Sequence, residues 1–206
     1  MPGRAAHETL WAQGDPTRKL DEFDDDLRPA AVLLALYSHS HSHSDSHSPG
    51  SAAERDSFRI PLIERPASMP HHAGQVGLPG GAVKSGETPE ATALREASEE
   101  IGLEPARVEI LGRLSPIPVQ VSRFRIDVFV GWIDGTPQLV PDPHEVAALV
   151  LADPDDLTER GATRVVRRER LGLVLDVPAY EIAGLEVWGA TGFILAEFCW
   201  VWRGLA

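Results

Sequence analysis

The chain of 206 residues is 43% hydrophobic and carries a formal net charge of -12, which suits one globular domain with terminal additions. That acidity argues against nucleic-acid and anionic-membrane binding, since both draw on an excess of Lys and Arg; a phosphorylated ligand then needs metal ions or a local basic patch. A single cysteine, Cys199, excludes an intrachain disulfide and a cysteine-based zinc site. No segment approaches the roughly 20 apolar residues that span a bilayer and the N-terminus has no basic start leading into an apolar stretch, so the expected location is cytoplasmic.

Residues 1–28 read as an acidic leader whose run Asp21 to Asp26 stays solvated, with the domain proper over 29–206. Two short apolar segments, Ala30 to Tyr37 and Phe58 to Arg65, are expected to be strands of one sheet. Between them, residues 38–50 alternate Ser and His, too polar to pack, and predict a flexible insertion. His39, His41, His43 and His47 also admit opportunistic metal affinity, although alternation with Ser fixes no ligand geometry.

A glycine-rich turn at Gly77 to Val83 precedes a helix expected from Pro89, with Thr88 as its cap. Further strands are expected over residues 108–114, 117–121, 124–132, 145–151 and 173–183. Asp153 to Leu157 resembles a helix start, and 188–202 an apolar helix ending near Gly204, with Cys199 in the core. Arg164, Arg167, Arg168 and Arg170 form a basic cluster, read as a solvated helix face or as a receptor for a substrate phosphate.

The chemistry concentrates in Gly81-x5-Glu87-x7-Arg95-Glu96-Ala97-x-Glu99-Glu100-x-Gly102-Leu103. Glu96, Glu99 and Glu100 stand at i, i+3 and i+4, which sets three carboxylates on one helical face. Their repulsion is relieved by a divalent cation, and hard oxygen donors favour Mg2+ or Mn2+ over zinc. Arg95 projects from a neighbouring face, where Glu87 at the end of the loop can pair with it and fix loop to helix. Gly80 and Gly81 let the backbone turn sharply beside a ligand. A solvated Glu-rich helix would not require all of these positions at fixed offsets.

This segment resembles the Nudix box, with Ala97 where a larger aliphatic residue is usual. The resemblance implies an α/β fold, an alpha/beta/alpha sandwich around a mixed β-sheet with the box as loop-helix-loop. It also implies hydrolysis of a nucleoside diphosphate linked to another group. By the same resemblance Glu96, Glu99 and Glu100 hold the metal while Glu87 and Arg95 support them. The flanks are similar to the coenzyme A pyrophosphatase branch: Pro61 to Arg65, an arginine-bearing strand; His72-Ala-Gly-Gln-Val76; Leu78 to Gly81; Leu114-Ser-Pro; Glu145-Val; and Tyr180 to Thr191. This likeness runs over residues 28–200 and departs from the pattern at Leu78 and in the less basic Ala67 to His71.

The expected reaction is therefore metal-dependent cleavage of coenzyme A to 4'-phosphopantetheine and adenosine 3',5'-bisphosphate. Alternatives are hydrolysis of ADP-ribose, NADH or a nucleoside triphosphate, and a non-catalytic nucleotide-sensing module. Glu99 and Glu145 both qualify as general base, with Glu100 and Arg95 in the catalytic set. Glu145 equally reads as a further metal ligand or a strand-end surface residue. His72, Gln75, Gly80 and Gly81 are candidate substrate contacts, His72 and Gln75 otherwise serving as loop props. Trp188 to Thr191 reads as helix-start packing. The partner is a small molecule, with no nucleic acid and no membrane, and the sequence sets no oligomeric state.

Overall fold

The alternation of apolar side chains along β1 (Arg28–His39) builds a layer on each side of it. In the computed structural model, residues 26–39, 57–69, 72–162, 164–170 and 173–205 are described. Ala31, Leu33, Ala35 and Tyr37 head one core, and Leu34 and Leu36 the other. β2 (Ser57–Glu64) pairs antiparallel with the end of β1, from Tyr37↔Arg59 to His39↔Ser57. Short strands β3 (Val76–Gly77) and β4 (Gly80–Ala82) pair with β2 and with the start of β1. β5 (Val108–Arg113) and β6 (Ile117–Val119) pair antiparallel with β7 (Phe124–Ile133), which runs parallel to β1 from Arg28↔Phe124 to Tyr37↔Ile133. β8 (Ala148–Ala152) pairs with β2. The sheet is mixed, as expected.

β1 meets β2 at residues 37–39 and β4 at residues 30–32. The glycine turn enters between these two pairings, where the Leu33 N–H donates to the Pro79 carbonyl (2.9 Å). Helix α1 (Pro89–Ile101) lays Ala93, Ala97 and Ile101, all fully buried, on the Ala31 and Leu33 face. The small side chain of Ala97 thus lies at the helix-sheet contact. Helices α2 (Pro154–Arg160) and α3 (Gly189–Arg203) bring Leu157, Ile194, Leu195, Phe198 and Cys199 to the opposite core. The result is an alpha/beta/alpha sandwich. Cys199 is a core residue, and burial raises its thiol pKa. No helix among the described residues is long and apolar enough to cross a membrane.

The ends of α1 place the functional segment. Thr88 caps it by accepting from the Ala91 N–H (3.1 Å), with Pro89 in the first turn. At the other end Gly102 adopts φ 66° and donates to the Ser98 carbonyl (3.1 Å), while the Leu103 N–H donates to Ala97 (3.3 Å). The chain returns there: Val140 and Asp142 donate to the Ile101 and Glu100 carbonyls (2.8 and 2.9 Å). A Cβ on Gly102 would stand 3.1–3.3 Å from Val140. Gly102→Ala is therefore expected to cost about 1–2 kcal/mol from the left-handed backbone alone, read as a lower chemical-denaturation midpoint. A midpoint equal to wild type would show that neither the backbone conformation nor the close approach matters.

Three sequence expectations change. Ser38 and His39, assigned to the insertion, belong to β1, where the Ser57 hydroxyl donates to the His39 carbonyl (2.6 Å); residues 40–50 and most of the leader, 1–25, lie outside the described residues. The strand expected from Glu145 begins at Ala148, because Asp142 organises residues 142–146 as a turn. The basic cluster is not a helix face. It lies on β9 (Arg164–Arg170), antiparallel to β10 (Leu173–Ile182), which β11 (Leu185–Val187) joins in a three-stranded sheet. Cross-strand pairs hold it: Arg164 with Glu181, Arg167 with Asp176 (3.3 Å) and Arg168 with Glu186 (2.7 Å). The Arg168 guanidinium also stacks 4.7 Å from the centre of the Trp188 ring, at the start of α3.

Candidate active site

The helical register of α1 turns the carboxylates in different directions. Glu100 is fully buried, Glu96 is partly buried with its side chain 13% exposed, and Glu99 is 47% exposed. Glu100 faces the glycine turn, where the Gly80 N–H donates to its Oε2 (2.8 Å). A Cβ on Gly80 would lie 2.4 Å from the Ala31 carbonyl oxygen, so any side chain there displaces backbone. Gly81 backs directly on Glu96, whose carboxylate comes within 2.7 Å of where a Cβ would stand. Both glycines are thus brought to the carboxylates.

Glu87 and Arg95 meet as expected, in a two-pronged pair with Nε to Oε1 at 2.7 Å and Nη2 to Oε2 at 3.1 Å. The Thr92 hydroxyl (2.7 Å) and the Lys84 N–H (3.2 Å) also donate to Glu87. Led by the Arg95 bond, these contacts hold the Glu87 carboxyl down at about 2, and Glu87 in turn pushes Arg95 further above its ordinary value. Arg95 Nη1 donates to Glu96 Oε1 and Glu99 Oε2, both at 2.7 Å, and the Lys84 ammonium stands 3.9 Å from Glu99. Loop, helix and acidic face form one network.

Among the described residues, the acidic cluster with the spacing of a metal site is Glu96, Glu100 and Glu145, with one carboxylate oxygen of each within 4.8 Å of the others. Glu99 instead lies in the Arg95 and Lys84 network. Glu145 arrives through the turn anchored on the end of α1: the Asp142 carboxylate accepts from the His144 N–H (2.8 Å), the Asp142 backbone carbonyl accepts from the Val146 N–H (2.8 Å), and the Ala147 N–H donates to the Glu64 backbone carbonyl (2.8 Å). Burial, countered by Arg65 and the Gly80 N–H and reinforced by Glu96 and Glu145, pushes Glu100 up to about 7. Three hard oxygen donors, one of them buried beside the other two, fit a divalent cation such as Mg2+ or Mn2+.

His72 and Gln75 bond to each other (Nδ1 to Oε1, 2.8 Å) in the loop that leads from Arg65 to β3; His72 has φ 59°. Sequence reasoning assigned no role to Arg65. Its Nη2 donates to the Gly80 carbonyl (3.2 Å) and to Glu100 Oε1 (3.4 Å). The signal was an arginine directly after a buried strand, where a solvated charge was not required.

A NUDIX domain model matches residues 52–170, more than half of the chain. Among curated relatives, the uncharacterized Nudix hydrolase NudL of Pectobacterium atrosepticum is 43% identical over 89 residues, covering 43% of this chain and 46% of that one. Nudix hydrolase 3 of Caenorhabditis elegans is 30% identical over 161 residues, covering 69% and 65%. The chain thus spans about half the length of the first and under two thirds of the second. A solved MutT protein from Methanosarcina mazei Go1 shares the fold, with a TM-score of 0.53 at 12% identity over 88% of this chain and 99% of that one. With the box residues folded into a loop-helix-loop around a carboxylate cluster and the domain match spanning them, the chain belongs to the Nudix family.

Proposed function

We propose that the chain is a metal-dependent pyrophosphohydrolase that cleaves the diphosphate of coenzyme A or a derivative into 4'-phosphopantetheine and adenosine 3',5'-bisphosphate. The observation that carries the reaction type is the convergence of Glu96, Glu100 and Glu145 beside the Gly80 turn. These residues would hold Mg2+ or Mn2+, which supplies charge neutralisation at the diphosphate and activation of water. Glu99 and Arg95 remain in the catalytic set as the network that orients Glu96.

In hydrolysis a water oxygen bonds to one phosphorus, the bridging P–O bond breaks, and the water proton needs an acceptor. Glu145 offers one oxygen to the cluster, and its other oxygen suits that role better than Glu99. Glu99 accepts from Arg95 and lies near Lys84, whereas Glu145 stands in the carboxylate cluster. His72, Gln75, Gly80 and Gly81 supply the rim against which substrate would lie.

Coenzyme A is favoured by the flanking resemblance, from the arginine-bearing strand through His72 to Val76 and on to Tyr180 to Thr191. The test is a panel of coenzyme A, ADP-ribose, NADH and nucleoside triphosphates with Mg2+ or Mn2+, products identified by mass. Coenzyme A is expected to give the highest kcat/KM with both named products. Equal or faster turnover of ADP-ribose would remove it as substrate. Binding of coenzyme A with no metal-dependent hydrolysis would favour a sensing module.

A further inference from the structure

Arg65 follows the last residue of β2, and its backbone is fixed from two sides: its N–H donates to the Gln75 carbonyl (3.0 Å) and its carbonyl accepts from the Gly74 N–H (3.0 Å). The guanidinium is therefore delivered from a strand end rather than from a loose surface loop. It is 25% exposed and forms an ion pair with a carboxylate that is 1% exposed. Among the described residues it is the cation paired with Glu100. The same Nη2 donates to the Gly80 carbonyl, while the Gly80 N–H holds the other oxygen of Glu100. Gly81, next along the chain, packs on Glu96.

One guanidinium thus sets the torsion of one acidic ligand and the peptide plane that leads to the wall behind a second. Arg95 cannot substitute, because its donors go to Glu87, Glu96 and Glu99. Arg65 Nη1 also points toward Met69 (3.8 Å to Sδ), in the loop that carries His72.

We propose that Arg65 is a positioning residue of the hydrolase: it orients the Glu100 carboxylate and the Gly80 turn so that Glu96, Glu100 and Glu145 converge on a divalent cation. The inference rests on the metal-dependent reading above, but not on coenzyme A as substrate. Its sign distinguishes it from simple electrostatics. With the three carboxylates fully ionised, removing a positive charge beside them should by itself tighten cation binding, whereas loss of orientation weakens it.

The experiment titrates Mn2+ into the full chain without substrate, at one mildly alkaline pH that keeps the carboxylates ionised, for wild type, Arg65→Gln and Arg65→Lys, with folding checked by circular dichroism. Arg65→Gln is expected to bind Mn2+ about 10- to 100-fold more weakly, the range seen when a residue supporting a metal ligand is lost. With coenzyme A and saturating Mn2+, kcat should fall and KM should not rise. Arg65→Lys keeps the charge without the planar fork and should recover only part of both losses; it carries the test alone if Arg65→Gln does not fold. Unchanged or tighter Mn2+ binding, full recovery by lysine, or a raised KM with kcat intact would overturn the proposal. If no tested substrate turns over in wild type yet the Mn2+ result holds, the substrate assignment fails and Arg65 keeps its role.

Discussion

Glu100→Gln is expected to reduce kcat by about a thousandfold, because metal assistance supplies several kcal/mol of transition-state stabilisation and each 1.36 kcal/mol is a factor of ten. Glutamine retains the size of the side chain and an oxygen that can accept from the Gly80 N–H, which donates to Glu100 at 2.8 Å. What it loses is the charge, in the most buried of the three converging carboxylates. Glu99→Gln provides the contrast. Glu99 lies on the exposed side of the network, between Arg95 and Lys84, so its loss should reduce kcat by a smaller factor. The measurement is initial rate against Mg2+ concentration, with products resolved by mass. If Glu100→Gln keeps wild-type kcat, or if Glu99→Gln is the more damaging change, Glu100 does not anchor the metal.

That contrast marks where sequence reading reached its limit. The i, i+3, i+4 spacing places Glu96, Glu99 and Glu100 together, but a helix face is wide, and the partner surfaces decide which side chains turn inward. Ala93, Ala97 and Ile101 bury one stripe of α1 against β1. Glu96 and Glu100 border that stripe, whereas Glu99 sits one turn beyond Arg95 and pairs with it at i+4. The apolar pattern held this information, and so did the Thr88-Pro89 start and the Gly102 stop.

Glu145 was harder to place because nothing local brings it to α1. Its position depends on the return of residues 140–146 across the helix end, through bonds to the Ile101 and Glu100 carbonyls. Arg65 was legible as the arginine of the strand in the flanking resemblance, but not as a partner of Glu100, 35 residues away. The basic run failed for another reason. Arg is among the better helix formers, and only the pairing of β9 with β10, which supplies Glu181 and Asp176 as cross-strand partners, makes the extended form preferable.

The buried Glu100 also couples metal binding to stability, and here the direction follows from its raised pKa. An unfolded chain releases this proton near the ordinary glutamate value of 4.5, while the folded metal-free protein holds it up to about 7. Between those values the native state binds more protons than the unfolded state, so this group's contribution to stability is fully present below pH 4.5 and is lost as pH rises through about 7. The interval corresponds to about 3 kcal/mol at 1.36 kcal/mol per pKa unit, or roughly 6–12 °C in Tm for a chain of this length.

Metal-free wild type is therefore expected to lose Tm between pH 5 and pH 8 beyond the loss shown by Glu100→Gln, which removes the titration while leaving the rest of the acidic surface unchanged. A divalent cation requires the ionised cluster and reverses the effect: Mg2+ should raise the wild-type Tm more at pH 8 than at pH 5, since ligands must be deprotonated to bind. Thermal scans of both proteins, with and without Mg2+ at each pH, separate these contributions. Parallel Tm curves for the two metal-free proteins would place the Glu100 proton elsewhere, and a larger Mg2+ effect at pH 5 would remove the cluster as the cation site.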